Sequence, residues 1–313
     1  MNLLILGGTL FLGRHCAQQA LARGWRVSLF HRGETGSDLF EDAEHLFGDR
    51  SGGLAALGTG TWDAVIDCSG KQPSDVVDSE AELSGRCGQY TYVSSISAYL
   101  DLGSETSDET HELRPPGDDG YASRKVGCEL AAAQFDGPVC IVRPGLIVGP
   151  YDPTERFAYW VRRAHEGGRM LCPGSPDQPV QVIDAADLAR WMLDGASSHR
   201  TGTYNAVSPT ITFGELLDAI GGSAERVWVP SDFLVDQGVE IWTDLPLWLT
   251  EDMYGFERAS PQRALGAGLK LRPLIATAAA TLKWCRDHPV QGETENGISR
   301  EREAHLLAEW SAD

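Results

Sequence analysis

The sequence predicts an α/β protein built on a doubly wound, mostly parallel sheet. Short apolar runs recur through the first half of the chain, at Leu3–Leu6, Arg26–Phe30, Ala64–Cys68, Gln89–Ser94 and Val139–Arg143. Segments with helical spacing stand between them. The earliest run enters a glycine-rich turn, Gly7, Gly8 and Gly13, just as a helical pattern begins at Phe11. Short strands alternating with helices mean βαβ units, because parallel neighbours need a crossover connection.

The elements follow in order. Cys16, Ala17, Ala20 and Leu21 continue the helix that begins at Phe11, and His31-Arg32-Gly33 is the turn that leaves the second strand. Glu44–Phe47 is a weaker strand ending in Gly48-Asp49-Arg50, and Ser74–Arg86 suits a helix. Leu100–Gly120 reads as a polar surface loop and Tyr121–Phe135 as a strong helix. Past Gly149-Pro150 the βα rhythm weakens while proline, glycine and tryptophan rise. Helices are expected at Glu155–Glu166, Asp187–Leu193, Phe213–Ile220 and Ile275–Arg286, with short strands near Val180–Ile183 and Thr203–Ala206. The expected organisation is a nucleotide-binding domain over residues 1–150 and a smaller α/β lobe, mainly substrate-binding, over 151–313. Residues from about 180 to 210 return to the first domain.

Composition excludes several classes. At 313 residues, 42% hydrophobic and 23% charged, the chain has the make-up of a globular protein with a full core. No apolar run approaches the length of a membrane span or signal core, so the expectation is a cytoplasmic protein without a membrane partner. A net charge of −19 leaves no basic stripe for nucleic acid. Acidic residues such as those of Asp101–Glu112 read as solvated surface. The seven cysteines form no CxxC pair and no His/Cys cluster, so reduced thiols and no metal are expected.

The candidate chemistry lies where strands end. A strand, a glycine turn and a helix N-terminus make a phosphate cradle, since backbone N–H groups and the helix dipole favour an anion. In an open parallel sheet, ligands sit outside the carboxyl ends of the strands. That rule puts Gly7–Gly13, His31-Arg32, Asp49, Cys68–Gly70 and Ser94–Ser97 along one crevice. Tyr121 and Lys125 stand four apart on one helix face. A phenol is a poor base at neutral pH, and a nearby ammonium favours its ionised form, making Tyr121 a candidate general acid/base. A hydroxyl from Ser94-Ser95-Ile96-Ser97 can stabilise charge on the reacting oxygen.

Taken together, GGTLFLG, DCSG, YVSSISAY, YASRK and RPGLIVGP resemble the extended short-chain dehydrogenase/reductase superfamily, in its NAD-dependent epimerase/dehydratase branch. VQVIDAADLA resembles that branch's later strand-to-helix junction and LGAGLKLRP its C-terminal motif, so the resemblance runs from about Asn2 to Arg286. It implies a Rossmann-type domain and a Ser–Tyr–Lys site. Tyr121 and Lys125 match YxxxK, Ser95 is the matching hydroxyl and Ser97 the runner-up. The implied cofactor-binding positions are Gly7, Gly8, Thr9, Phe11, Leu12, Gly13, His31, Arg32, Asp49, Cys68, Ser69, Gly70, Lys125 and Pro144. The implied chemistry is hydride transfer between a nicotinamide and a carbon bearing a hydroxyl or ketone in a small, sugar-like substrate. Helices on the sheet faces often pair in this superfamily, which implies a homodimer.

Departures from the pattern shape the expectation. Leu10 replaces the usual middle glycine of the turn. NAD-preferring members carry an acid at the end of the second strand, where this chain has His31 followed by Arg32. NADP(H) is therefore expected to be preferred over NAD(H). Ile96-Ser97 stands where 4,6-dehydratases have an Asp-Glu pair. Leu146 replaces an asparagine of the nucleotide-sugar epimerases, and Val180 or Gln181 replaces their diphosphate-gripping arginine. Substrate contacts are expected from Ser97, Tyr151, Asp152, Arg156 and Trp242, with Trp248 and Tyr254 in the same aromatic-rich lobe. Two other classes stay open: a dinucleotide-binding redox sensor without turnover, and an RNA-binding relative, since GGTxFLG also resembles atypical chloroplast members that bind stem-loop RNA.

Overall fold

The computed structural model describes residues 1–100, 106–117, 120–289 and 295–311. Parts of the expected Leu100–Gly120 loop, residues 101–105 and 118–119, therefore lie outside the described residues.

The first half alternates as anticipated: β1 (Asn2–Leu6), α1 (Phe11–Ala22), β2 (Arg26–His31), β3 (Glu44–Phe47), β4 (Ala64–Asp67), α2 (Pro73–Leu83), β5 (Tyr90–Val93), α3 (Gly120–Ala132) and β6 (Val139–Pro144). The chain continues through β7 (Leu146–Val148), α4 (Arg156–His165), β8 (Arg169–Pro173), β9 (Pro179–Val180), β10 (Val182–Asp184) and α5 (Ala185–Ser197). Then come β11 (Gly202–Ala206), β12 (Ile211–Thr212), α6 (Phe213–Ile220), β13 (Glu225–Val229), α7 (Ser231–Asp236), α8 (Gln262–Gly266), α9 (Leu274–Asp287) and α10 (Arg300–Trp310).

Seven strands form one parallel sheet in the order β11-β6-β5-β4-β1-β2-β3. The order reverses beside β1, which is the topological switch point where α/β sheets bind ligands. Leu3 to Leu6 are all fully buried because helices cover both faces of β1. On one face α1 and α5 pack through small side chains, Cys16, Ala17 and Ala20 against Leu188, Ala189 and Met192. On the other, Val76 and Leu83 of α2 and Cys128 and Ala132 of α3 meet Tyr90 and Tyr92.

A second hydrophobic core packs Phe157, Trp160, Phe213, Leu216, Trp248 and Leu306 together, all of them from beyond β7. Two elements had no clear period in the sequence. One is the parallel pair of β8 and β13. The other is α10, whose Glu303 forms a buried ion pair with Arg163 at 2.8 Å and accepts from the Leu171 N–H. The expected strand Val180–Ile183 is instead two. β9 runs antiparallel to β12 and β10 parallel to β7. Gln181 separates them because its side chain is spent on Ser208 and on both backbone groups of Ala259.

The seven cysteines are free thiols. Among the described residues no group of His, Cys, Asp or Glu could hold a metal, and no helix is long and apolar enough to cross a membrane.

Glu257 is fully buried and accepts a hydrogen bond from the Gln181 N–H, and burial pushes its carboxyl up to about 8. The folded state then holds a proton that the unfolded chain releases near its ordinary value, so stability falls as pH rises through that window. Glu257→Gln keeps the acceptor and removes the penalty. Urea unfolding should show the variant more stable than the parent at pH 8, with the difference fading toward pH 4.

Candidate active site

The phosphate turn is built by close approach. Gly7 has φ +87°, and a Cβ on it would lie 2.8 Å from that of Ser69. A Cβ on Gly13 would lie 2.0 Å from the Gly7 carbonyl oxygen, so only glycine lets α1 start this near the end of β1. Leu10, the N-cap, supplies no side-chain cap. The orphan N–H groups of the first turn are thus left for an anion, which suits a dinucleotide pyrophosphate.

This turn opens into a cleft of about 720 Å³ at the carboxyl edge of β1, β2, β4, β5 and β6. Of the residues expected at a cofactor, Gly7, Thr9, Phe11, Leu12, Gly13, His31, Arg32, Asp49, Cys68, Ser69, Lys125 and Pro144 line it. Gly8 stands behind the wall, its Cα against Leu29, and Gly70 is buried beneath, where its carbonyl accepts from Lys125. A cavity of this size is within the range of cofactor sites.

Where β5 ends and α3 begins, the three expected side chains Ser95, Tyr121 and Lys125 line one wall. Ser95 caps a short 3-10 turn over Ile96–Ala98. Its Oγ accepts the Ser97 N–H at 3.1 Å and lies 3.2 Å from Ser97 Oγ, which is behind it. Ser94 is spent elsewhere, donating to Glu129 of a buried Glu129–Arg143 pair. Tyr121 keeps 55% of its surface exposed in the cleft mouth. Burial raises its phenol above the ordinary value, with the neighbouring Ser95 hydroxyl opposing the rise.

Lys125 is arranged otherwise than the sequence suggests. Its Nζ donates to the Val93 carbonyl at 2.8 Å, the Tyr92 hydroxyl at 3.0 Å and the Gly70 carbonyl at 3.1 Å. It lies 5.9 Å from the centre of the Tyr121 ring. Burial draws the ammonium below its usual range. The expected lowering of the phenol is therefore not seen: burial raises it, and the ammonium is engaged by Val93, Tyr92 and Gly70 instead.

At the other end of the cleft, His31 Nε2 and His45 Nδ1 are 2.8 Å apart. His31 Nδ1 accepts the Gly33 N–H, so Nε2 carries the proton. Burial, and then His45, lowers the His31 pKa. Arg32 pairs with Glu34 at 2.7 Å, both more than half exposed. Asp49 caps the following turn through Ser51, whose hydroxyl helps hold the carboxyl below its usual value.

The expected substrate residues are less convergent. Pro153 and Thr154 line the cleft, whereas Ser97, Tyr151, Asp152, Arg156 and Trp242 are absent from its wall. The Arg14 guanidinium lies 3.7 Å from the centre of the Tyr151 ring, and His15, Trp284 and His288 surround the same ring. Asp152 is buried and accepts from Thr154, and Arg156 faces the Trp242 ring at 5.7 Å. Trp248 belongs to the second core and Tyr254 faces Arg258.

Sequence reasoning missed Arg50. It lines the cleft yet is mostly buried, and it pairs with fully buried Asp67 at 2.9 Å. The signal was there in FGDRSG, where the arginine directly follows Asp49 at a strand end.

Comparison with known proteins places this geometry. A family model described as the NAD-dependent epimerase/dehydratase family matches residues 3–206. The enzyme WbmH from Bordetella bronchiseptica, solved with NAD+, superposes with a TM-score of 0.70 at 18% identity, over 92% of this chain and 99% of that one. UDP-glucuronic acid 4-epimerase from Bacillus cereus, solved with NAD, gives 0.67 at 14% identity, over 92% and 97%. The chloroplast stem-loop binding protein of 41 kDa b from Arabidopsis thaliana is 27% identical over 216 residues, 62% of this chain. This chain spans about half, 54%, of that relative's length. With a switch-point cleft, a glycine turn and YxxxK beside it, the chain belongs to the NAD-dependent epimerase/dehydratase family of enzymes.

Proposed function

We propose that this protein is an NAD(P)-dependent oxidoreductase or epimerase acting on a hydroxyl or ketone carbon of a small, sugar-like substrate. The observation that carries the reading is that Ser95, Tyr121 and Lys125 line the same wall at one end of the cleft whose other end holds the glycine turn. A bound nicotinamide supplies the hydride chemistry. Ser95 orients the reacting oxygen. Tyr121 gives that oxygen a proton in reduction and takes one in oxidation. Lys125 keeps positive charge beneath the phenol and, by exchanging one of its acceptors, reaches the ribose.

The raised phenol sets the pH dependence. Tyr121 stays protonated across neutral pH, so ketone reduction should be flat from about pH 6 to 9 while alcohol oxidation climbs with pH. Tyr121→Phe should cut turnover by at least about 100-fold in a panel of small ketoses and polyols. NADPH titration by fluorescence should be nearly unchanged, and full turnover in the variant would overturn the mechanism.

Within this reading the cofactor is NADP(H). His31 stands where an acid would repel a 2′-phosphate, Arg32 follows it, and the exposed pair of Arg32 with Glu34 is worth at most about 1 kcal/mol. A phosphate, with two charges and bidentate geometry, outcompetes that carboxylate. Titrations should show NADPH binding more tightly than NADH, with the gap shrinking in Arg32→Ser. Equal or tighter NADH binding would sink the preference. Val77 and Leu130, exposed on α2 and α3, mark the sheet face on which we place pairing of two copies.

A second reading, binding of stem-loop RNA, is favoured by the Arabidopsis relative alone. The net charge of −19 opposes it. Titration with an RNA hairpin at two salt concentrations separates the readings: tight binding that weakens with salt would favour the second.

A further inference from the structure

Lys125 is held by acceptors that another pair of residues sets in place. An ammonium has three protons, and each of those on Lys125 has its acceptor: Val93 O, Tyr92 Oη and Gly70 O. The first is part of a central strand. The Tyr92 hydroxyl lies 3.0 Å from the Gly70 carbonyl, so two of the three acceptors meet at Gly70.

Gly70 follows β4 in an irregular turn, and one side chain shapes that turn. Asp67 Oδ1 accepts the Ser69 N–H at 2.9 Å and the Gly70 N–H at 2.8 Å. Its Oδ2 accepts the Tyr90 hydroxyl at 2.6 Å and Arg50 Nη1 at 2.9 Å. Burial alone would raise this carboxyl, but Arg50 and Tyr90 overcome it and keep it ionised. Arg50 is locked in turn: it also donates to Ser69 Oγ, the Asp75 carbonyl and Ser79 Oγ. A buried ion pair is weak support for stability as such, but it can enforce one conformation when hydrogen-bonded. Here both Asp67 oxygens and both terminal Arg50 nitrogens have partners, the Arg50 Nε alone lacking one.

We propose that Asp67 and Arg50 are positioning residues for Lys125, acting through the Cys68–Gly70 turn. Asp67 does not line the cleft, so its effect passes through the backbone and not through ligand contact. The importance of Lys125 for turnover rests on the function proposed above, whereas its placement by Asp67 does not.

The chain's few lysines make the test direct. Lys71, Lys270 and Lys283 are exposed, while Lys125 is buried. Brief acetylation with an N-hydroxysuccinimide ester, read by peptide mass spectrometry, reports each amine separately, with Lys270 and Lys283 as internal standards. Asp67→Asn should raise Lys125 labelling at least about tenfold relative to those standards, because the turn opens locally. Tyr90→Phe removes one bond to Asp67 without removing charge and keeps the ring against Phe135. It should shift Lys125 in the same direction by a smaller factor, and it decides the matter alone if Asp67→Asn does not fold. Unchanged Lys125 labelling in folded Tyr90→Phe and Asp67→Asn would overturn the proposal.

Turnover tests the other reading separately. If the function is as proposed, kcat falls in Asp67→Asn even at saturating NADPH. Raised labelling with undiminished turnover would support the positioning of Lys125 and refute its place in catalysis.

Discussion

Between the end of β1 and the start of α1 there is no room for a side chain at Gly13, because its Cα lies against the backbone of Gly7. That contact sets how near the helix N-terminus comes to the carboxyl edge of the sheet, and the cleft is built outward from it. The parallel order then brings the ends of β2, β4, β5 and β6 to the same edge. Residues more than a hundred positions apart come to line one wall by topology alone.

The first half of the fold was legible because its signals are local. β1 and β4 are continuous apolar runs, and glycines or small polar residues punctuate their ends. The second lobe was harder for a physical reason. Its short strands have partners far away in sequence, and Gln181 interrupts one of them for a purpose, the bridging of Ala259, that no period records. The position of α10 depends on Arg163 meeting Glu303, 140 residues on.

The candidate site divides along the same line. Residues at strand ends follow from position, so Gly7, Gly13, Cys68, Ser69, Ser94 and Ser95 fall along the cleft while Ser97 does not. Orientation was not legible. Four-residue spacing puts Tyr121 and Lys125 on one helix face, but the ammonium turns toward the strand carbonyls, which offer fixed acceptors in a dry setting. Tyr151 follows β7, yet its ring packs against the Arg14 guanidinium and is absent from the cleft wall. Hydrogen-bond geometry and cation–π attraction decide such choices at the scale of about 1 kcal/mol, below the resolution of sequence pattern.

The Tyr151 stack has a mechanical meaning. Arg14 and His15 belong to α1, whose first turn meets the phosphate cradle, while Trp284 belongs to α9 in the second lobe. One ring therefore fastens the cradle helix to the other lobe, with guanidinium, imidazole and indole around it. A hinge at this corner would have to break those contacts together. Through this one ring α1 and α9 are joined by side-chain contacts and not only by the backbone between them.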